Sequence, residues 1–297
     1  MDGILNINKP AGRTSFSIVA QIRRLSRERR VGHAGTLDPV ASGVLPVCLG
    51  KSTRLIEFLM ETGKVYRARI EFGVTTDTYD AAGNIVREKD PSGIGREQLE
   101  KTLAMFRGEI KQVPPMYSAL KHEGQPLYRL ARQGITVERK SRPARIYRLD
   151  VIDWQPPLLD LEIECGRGTY IRSLAHDMGQ QLGCGAHLKN LVRTRYGVFD
   201  IAHAMPISEL EEAFREGSWQ QSLFPADRAL EHWPAVVLAK GDEDIVSNGG
   251  SVRLADDAVS GSAGGERCRA YTQDGRFLAV LRLDAAGGEW RPEKVFQ

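Results

Sequence analysis

Two stretches of this chain alternate between apolar and polar residues, and this alternation constrains the fold more than any other feature. Residues 66–72 read Y-R-A-R-I-E-F, and residues 159–165 read L-D-L-E-I-E-C. Successive side chains of a β-strand point to opposite faces, so a period of two indicates one buried and one solvated face. Each stretch predicts a half-buried strand, and Tyr66 lies on the buried face of the first.

Three further stretches repeat apolar residues at the spacing of a helix: residues 18–25, 99–110 and 171–182, the last ended by Gly183. A short apolar run at residues 44–49 predicts a buried strand. Because strands and helices mix without a regular βαβ order, we expect an α+β fold rather than a doubly wound parallel sheet.

The sequence pattern changes near residue 232. Beyond it come short β-like runs, the first at residues 251–254, separated by Gly-, Ser- and Asp-rich segments such as 256–265. A length of 297 residues also exceeds that of a usual single domain, about 100–200 residues. We predict a large domain over residues 1–232 and a small all-β module over residues 233–297, with 256–265 as a loop.

Sequence composition indicates the compartment. No apolar run approaches the roughly 20 residues that cross a bilayer, and the first residues lack the basic and apolar regions of a signal peptide. Four cysteines are scattered without a C-x-x-C pair, which argues against a disulfide framework and a zinc ribbon. We expect a cytoplasmic protein with no membrane contact.

Basic residues are concentrated in two clusters, which say more than the net charge of +3. Residues 23–30 hold five arginines against one glutamate, and residues 129–148 hold seven basic residues against one acidic residue. Either cluster alone could be a solvated face, and cations at the end of a helix also favour its dipole. Together they favour a partner rich in phosphates, which indicates nucleic acid.

Residues 32–46, G-H-A-G-T-L-D-P-V-A-S-G-V-L-P, read as a glycine-rich loop leading into a strand. Functional groups are often displayed on such loops. Pro39 biases Asp38 toward an extended backbone, which presents the carboxylate away from any local helix. The alternative is an ordinary Asp-Pro turn. His33, on the same loop, is compatible with a base, a stacking platform or a solvated residue.

A second candidate segment is G-R-G-T-Y-I-R, residues 166–172, where a strand ends in glycines and a helix begins near Thr169. Arg172 lies about 100° around that helix from the apolar stripe, so it need not be a packing residue. Its guanidinium could pair with Asp38 and keep the carboxylate ionised. The alternatives are a surface arginine and, for Tyr66, a core tyrosine with a local hydrogen bond.

Motifs for other chemistries are missing. The sequence contains no G-x-x-x-x-G-K-[ST], no G-x-G-x-x-G after a strand and no G-x-S-x-G elbow. Cys184 and His187 form a lone C-x-x-H without a second pair, and Asp77 and Asp80 flank a turn that is more simply solvated. We therefore expect neither a nucleotide cofactor nor a metal.

Several segments together, over residues 3–230, resemble one known family, the TruB family of tRNA pseudouridine-55 synthases. The matching segments are N-I-N-K-P (6–10), the loop at 32–46, K-V-Y-R-A-R (64–69), T-D-T-Y-D-A-A-G (76–83), P-P-M-Y-S-A-L-K-H-E-G-Q-P-L-Y-R-L-A-R (114–132), G-T-Y-I-R-S-L-A-H-D-M-G (168–179) and G-A-H-L-K-N-L-V-R-T-R-Y-G-V-F (185–199). The departures are mild: Val40 and Ser42 in the loop, and Gly166-Arg167 where Ser-Lys is more usual.

The resemblance implies a fold and a reaction. The fold would be an α+β pseudouridine synthase core with a mixed or antiparallel sheet, a thumb insertion at about residues 116–146, and a β-barrel-like PUA module at residues 233–297. The enzyme would bind the T-arm stem-loop of tRNA as a monomer without any cofactor. It would flip the uridine at position 55 and convert it to pseudouridine.

The resemblance also implies residue roles. Asp38 would be the catalytic carboxylate, Arg172 its ionic partner and Tyr66 the residue that stacks on the target base. Contacts with the RNA or the pocket lining would fall to seven further residues: His33, Tyr170, Leu191, Arg139, Lys140, Arg142 and Arg145.

Three rival interpretations remain open at this point. A non-catalytic tRNA-binding or remodelling protein could use the same basic surface, although it would not need to pair Asp38 with Arg172. A guide-RNA-dependent, dyskerin-like synthase would share the catalytic loop, but such proteins usually work within a larger particle. A metal-dependent nuclease would need a carboxylate cluster that the sequence does not show.

Overall fold

The structure is a computed structural model that describes residues 1–254, 266–284 and 286–296. The predicted loop at residues 256–265 lies outside these residues. The strands are, in chain order, β1 (Gly3–Lys9), β2 (Val31–His33), β3 (Ser42–Leu49), β4 (Lys64–Phe72), β5 (Val74–Thr76), β6 (Ile85–Glu88), β7 (Gly108–Gln112), β8 (Lys121–His122), β9 (Gln125–Pro126), β10 (Arg142–Gln155), β11 (Leu158–Cys165), β12 (Ala186–Tyr196), β13 (Phe199–Asp200), β14 (Met205–Pro206), β15 (Leu223–Phe224), β16 (Ala235–Val237), β17 (Arg267–Tyr271), β18 (Phe277–Asp284) and β19 (Glu289–Val295).

Helices are short by comparison, and none that the structure describes has the length and apolar character needed to cross a bilayer. The α-helices are α1 (Ser15–Ser26), α2 (Ile56–Glu61), α3 (Arg96–Met105), α4 (Leu127–Arg132), α5 (Ile171–Gln181), α6 (Ile207–Glu216) and α7 (Lys240–Ser247). Short 3₁₀ turns cover Gly50–Leu55, Ile201–His203, Trp219–Ser222 and Ala226–Leu230.

One large mixed sheet, built from strands between β1 and β15, organises the larger part of the chain, in agreement with the predicted α+β class. Its strand order is β14-β1-β3-β12-β4-β11-β10-β7, with β2, β13 and β15 attached at its sides. Most neighbours are antiparallel, but β12 runs parallel to β3 and β14 runs parallel to β1. The two alternating stretches of the sequence are β4 and β11, which pair with each other at the centre of the sheet.

Helices cover one face of this sheet in two groups. The stripes of α3 and α5 pack on β4, β11 and β12, and those of α1 and α6 pack on β1 and β3. On the opposite face of the central strands, arginine and acidic side chains form exposed pairs such as Arg69 with Asp160, 2.6 Å apart. The alternation in the sequence of β4 and β11 therefore arises because one face of these strands packs against helices and the other faces solvent.

The stretch at residues 99–110 differs from its prediction as a single helix. Helix α3 ends at Met105, and Ile110 belongs to strand β7. Gly108 adopts a φ of +81°, which ends the helical path, and the residues after it pair with β10. The apolar spacing continued past the break because Phe106 and Ile110 still pack against the same core.

The C-terminal segment forms a separate small sheet in the order β16-β17-β18-β19. It is not all-β, because α7 packs on its strands through Val246, which is fully buried. The predicted strand at residues 251–254 is reduced to a single bridge between Val252 and Trp290. Short amphipathic segments such as Lys240–Ser247 give too little periodicity to distinguish a helix from a loop.

The small sheet is fixed to the large domain by aromatic and charged contacts. The guanidinium carbon of Arg267, on β17, lies 5.3 Å from the ring centroid of Phe58 on α2 and 5.5 Å from that of Trp233. Lys294 on β19 pairs with Glu57 on α2 at 2.8 Å. Helix α2 is therefore the support on which the C-terminal sheet rests.

Gly43 marks a close backbone approach in the large sheet, where β3 meets β12. Gly43 has a φ of +105°, and a Cβ there would lie 2.2 Å from the carbonyl oxygen of Arg193. We expect Gly43→Ala to lower the free energy of unfolding by about 3 kcal/mol, the sum of backbone strain and overpacking. Urea unfolding at 25 °C measures this loss.

Gly217→Ala is the matched control. Gly217 also has a positive φ, +76°, but a Cβ there would meet nothing within 4 Å. Its loss should be about 1–2 kcal/mol, from backbone strain alone. Equal losses in the two variants would contradict the steric argument.

Candidate active site

The loop that carries Asp38 is held against the first turn of α1. The hydroxyl of Ser15, buried at the start of that helix, accepts a hydrogen bond from the amide of Leu37 at 2.9 Å and donates one to the Leu37 carbonyl at 3.0 Å. The amide of Gly12 donates to the Pro39 carbonyl at 2.7 Å. The residues on either side of Asp38 are thus fixed, so the loop displays the carboxylate from a defined position.

Arg172 provides the ionic partner that the sequence predicted for Asp38. Its Nε lies 2.8 Å from Oδ2 of Asp38, and its side chain is only 5% exposed. It belongs to the first turn of α5, which begins at Ile171, two residues later than expected. The alternative of a surface arginine is excluded by this burial.

The rest of the Arg172 guanidinium is also occupied. Nη1 lies 3.4 Å from Oδ2 of Asp80 and donates to the Thr78 carbonyl at 3.3 Å. Nη2 donates to the Tyr117 carbonyl at 2.7 Å. One side chain therefore ties together the Asp38 loop, the turn after β5 and the root of the predicted thumb.

The electrostatics of Asp38 are balanced between opposing effects. Withdrawal of the carboxyl from bulk water raises the pKa of Asp38, the Arg172 guanidinium opposes that rise, and the neighbouring Asp80 carboxylate adds to it. About a third of the side chain is still accessible, at 33%. The carboxylate is thus an enclosed but reachable group whose ionised form depends on Arg172.

Tyr66, Tyr170 and Leu191 line the same cavity as Asp38 and Arg172. The cavity holds about 250 Å³, near the lower end of small-molecule sites, which start at roughly 300 Å³. Tyr66 is 9% exposed and Leu191 is 5% exposed, so they form walls rather than a rim. Five residues that the sequence singled out separately are therefore brought together.

The backbone of Tyr170 is held in place by a side chain of strand β7. The side-chain amide of Gln112 accepts from the Tyr170 amide at 3.0 Å and donates to the Tyr170 carbonyl at 3.2 Å. Gln112 ends β7 and is 2% exposed. The predicted strand-to-helix junction is therefore anchored to the sheet edge that leads into the thumb.

His33 does not line this cavity. It ends β2, and burial lowers its pKa with a smaller contribution from the positive charge of Arg193. Its Nδ1 is buried without a hydrogen-bond partner. His33 therefore belongs to the sheet beside the Asp38 loop and not to the wall of the cavity.

The basic residues of the thumb also lie outside the cavity. Lys140, Arg142 and Arg145 are exposed, while Arg139 is half-buried and donates to the Pro114 carbonyl at 3.1 Å. The carbonyl of Arg145 accepts from the amide of Gly166, a residue of the cavity wall, at 2.9 Å. The exposed cations thus begin at the edge of the site.

Sequence analysis missed three charged groups near Asp38. They are Asp80, which had been assigned to a solvated turn but is 5% exposed, and the fully enclosed Lys9 and Arg193. Burial lowers the pKa of Lys9 to about 8, and the charge of Asp38 opposes this. Lys9 and Arg193 lie on segments that match the family, but no spacing rule predicts that strands so far apart in sequence converge.

The described residues contain no group of three or more His, Cys, Asp or Glu side chains arranged to hold a metal ion. The chemical groups present are a carboxylate, two tyrosines and buried cations. Such a set can hold an electron-poor sugar or ring and move protons.

Two family models match consecutive parts of the chain. Residues 23–171 match the TruB family pseudouridylate synthase N-terminal domain. Residues 172–231 match the tRNA pseudouridylate synthase B C-terminal domain. The boundary between the two lies at Arg172, inside the site itself.

Solved structures with the same fold include a Cbf5-Nop10-Gar1 complex, with a TM-score of 0.75 and 28% identity over 99% of this chain and 85% of that chain. An H/ACA RNP bound to a substrate RNA containing 2′-deoxyuridine gives a TM-score of 0.74 and 26% identity, with 99% and 85% covered.

Curated relatives are more similar in sequence. A tRNA pseudouridine synthase B of Dehalococcoides mccartyi is 49% identical over 296 residues, which cover 100% of this chain and 97% of that protein. One of Clostridium acetobutylicum is 40% identical over 288 residues, with 97% of each chain covered. The chain therefore belongs to the TruB family of pseudouridylate synthases.

Proposed function

We propose that this chain is a cytoplasmic, monomeric, cofactor-free tRNA pseudouridine synthase that isomerises the T-loop uridine at position 55, with Asp38 as its catalytic carboxylate. The observation that carries the proposal is the buried Arg172 guanidinium, 2.8 Å from Asp38 at the wall of a cavity lined by Tyr66 and Leu191. A protein that only bound RNA would gain nothing from enclosing a carboxylate where phosphates approach.

The cavity suits a single flipped base. A uridine inside a folded RNA loop has its C1′ and C5 atoms shielded by stacking, so the enzyme must extrude it. Extrusion costs a few kcal/mol, which contacts to phosphates and stacking inside the pocket can offset. Tyr66 supplies an aromatic face and Leu191 an apolar one, and both are held by the central strands β4 and β12.

The reaction needs a carboxylate and proton transfer. The C1′–N1 bond breaks, C1′ joins C5, the C5 proton leaves and N1 gains a proton, so no atom is exchanged with a cofactor. Asp38 can attack C1′, add to the uracil ring or stabilise a cationic sugar and remove a proton, as carboxylates do in glycosidic cleavage. Arg172 keeps the carboxylate ionised for each of these routes.

The thumb and the C-terminal sheet would hold the rest of the tRNA. Lys140, Arg142 and Arg145 would contact phosphates of the T arm beside the cavity, and His33 would meet the loop next to the extruded nucleotide. Residues 233–297 would act as a PUA-type module that binds another part of the RNA. Both regions would contribute binding energy at a distance from the reacting atoms.

The same fold also occurs in the Cbf5-Nop10-Gar1 and H/ACA RNP structures, so a guide-RNA-dependent, dyskerin-like role is the main rival. Identity favours the stand-alone enzyme: 40–49% with relatives named tRNA pseudouridine synthase B, against 26–28% with the Cbf5 and H/ACA structures. Conversion of unmodified tRNA by the purified chain, without added protein or guide RNA, distinguishes the two.

Asp38→Asn should abolish turnover and leave tRNA binding nearly unchanged, because binding depends on phosphate contacts and stacking. Tritium release from C5-labelled tRNA measures turnover, and filter binding measures affinity. Asp153→Asn, a change of an exposed aspartate on β10, is the control and should behave as wild type. Substantial turnover by the Asp38→Asn protein, free of deamidated material, would rule out the assignment.

Tyr66→Phe should preserve folding and tRNA affinity but lower kcat by roughly 10²–10⁴-fold, the usual scale for loss of a general acid or base. The aromatic face is kept and only the hydroxyl is removed. Single-turnover kinetics on a T-arm stem-loop give the rate. If the variant turns over like wild type, Tyr66 serves only for stacking, and the proton is moved by Asp38 or water.

Replacing Lys140, Arg142 and Arg145 with glutamine should weaken tRNA binding and make it less dependent on salt. Each lost phosphate contact reduces the slope of log K against log salt by about 0.7, so the three together should reduce it by about 2. The control replaces Arg96 and Lys101, which pair with glutamates of their own helix α3. An unchanged slope would mean that the thumb cations form only a solvated face.

A further inference from the structure

Arg193 is a second buried arginine at the site, and its surroundings differ from those of Arg172. It lies on β12 with 1% exposure. Nε donates to the Val44 carbonyl at 2.7 Å, and Nη2 donates to the Gly35 carbonyl at 3.2 Å. Its guanidinium carbon lies 4.8 Å from the ring centroid of Tyr196. In residues 1–254, 266–284 and 286–296, no carboxylate forms an ion pair with it.

A buried cation without a carboxylate partner is costly, so its position calls for a reason. The bonds to Val44 and Gly35 explain how the donors are satisfied and how β12 holds the start of the catalytic loop. They do not explain why the side chain is positively charged, because a neutral amide or hydroxyl could donate to the same carbonyls. The need for a positive charge must therefore come from the groups that it faces inside the cavity.

Arg193 faces Tyr66. The two residues are direct partners in the pairing of β12 with β4. Both residues also line the cavity that holds Asp38. Burial raises the pKa of Tyr66, and the positive charge of Arg193 opposes that rise. Other ionisable groups near the hydroxyl are Cys165 on β11, Asp38 on its loop and Tyr196 on β12. Cys165 and Asp38 add to the rise. Arg193 is thus the neighbour that favours the ionised phenol.

We propose that Arg193 is a positioning residue that acts through Tyr66, holding its hydroxyl toward the flipped base and stabilising the phenolate that accepts the C5 proton. The inference rests on the proposed function. In this step the Tyr66 phenol first gives its proton to solvent, and N1 takes a proton from solvent after the C1′–N1 bond breaks. After C1′ joins C5, the C5–H bond breaks, its electron pair restores the ring double bond, and the proton passes to the phenolate oxygen. N1 ends with one proton, so the overall reaction is balanced.

Arg193→Lys is the primary test, because it keeps a positive charge but loses the planar guanidinium that bonds both Val44 and Gly35 and so fixes the charge beside Tyr66. We expect kcat on a T-arm stem-loop to fall about tenfold, the effect of weakening one charge-assisted hydrogen bond. KM should change little. The rise of kcat with pH above neutrality should shift to higher pH, because the phenolate forms less readily. Arg195→Lys, two residues along β12 and paired with Glu164 at 2.6 Å on the exposed face, is the matched control.

A double-mutant cycle separates this role from structural support. In the Tyr66→Phe background the hydroxyl is gone, so Arg193→Lys should cause no further loss in kcat. A further tenfold loss there would show that Arg193 acts independently of Tyr66 and would overturn the proposal. If Tyr66→Phe itself retains full kcat, the part of the proposed function that concerns Tyr66 fails instead, which the same cycle reveals.

A second measurement does not depend on whether the Arg193 variant folds. Incorporating 3-fluorotyrosine at position 66 makes the phenol more acidic without removing the Arg193 contact. The rise of kcat with pH above neutrality should then occur at lower pH in the otherwise unchanged protein. In Arg193→Lys, the same replacement should restore part of the lost kcat. A rise that stays in place with fluorotyrosine would contradict phenolate formation at Tyr66.

Discussion

The ion pair between Arg172 and Asp38 is the contact on which the rest of the site depends. An unpaired arginine enclosed to this degree would be costly, so its partners must be in place whenever the domain is folded. These partners come from the Asp38 loop, from the turn that carries Asp80 and from the carbonyl of Tyr117. Formation of the site therefore requires that three chain segments pack correctly, and loss of the Arg172 charge leaves Asp38 and Asp80 without their shared partner.

Buried positive charge is the second feature of the site. Besides Arg172, Lys9 and Arg193 are fully enclosed, and Lys64, at 6% exposure, lines the cavity. Burial lowers the pKa of Lys64 to about 8, as it does for Lys9, and both ammonium groups are held mainly by backbone carbonyls. The charges of Arg172 and Lys9 oppose the rise that burial causes in the pKa of Asp38, and the charge of Arg193 opposes the rise in that of Tyr66.

The C-terminal sheet is joined to this arrangement through α2. Arg267 lies against Phe58 of that helix. The ammonium of Lys64 donates to the carbonyl of Met60 in the last turn of α2, at 2.7 Å, and to that of Thr62 just after it, at 2.5 Å. Met60 and Lys64 both line the cavity. The RNA-binding role proposed for the C-terminal module therefore has a direct physical connection to the cavity wall, through one short helix and its C-terminal carbonyls.

The sequence by itself determined the strands β4 and β11, the helices α1 and α5 and the loop that displays Asp38, because period, capping and glycine placement are local properties. It also predicted that Arg172 could meet Asp38, although the residues alone left a surface position open. It did not separate α3 from β7, since the same apolar face continues past Gly108. Only the tertiary structure decided the burial of Arg172, the approach of Asp80 and Lys9, and the pairing of Arg193 with Tyr66. Each of these depends on which strands and loops become neighbours, and that choice is made by packing between segments that are not adjacent in sequence.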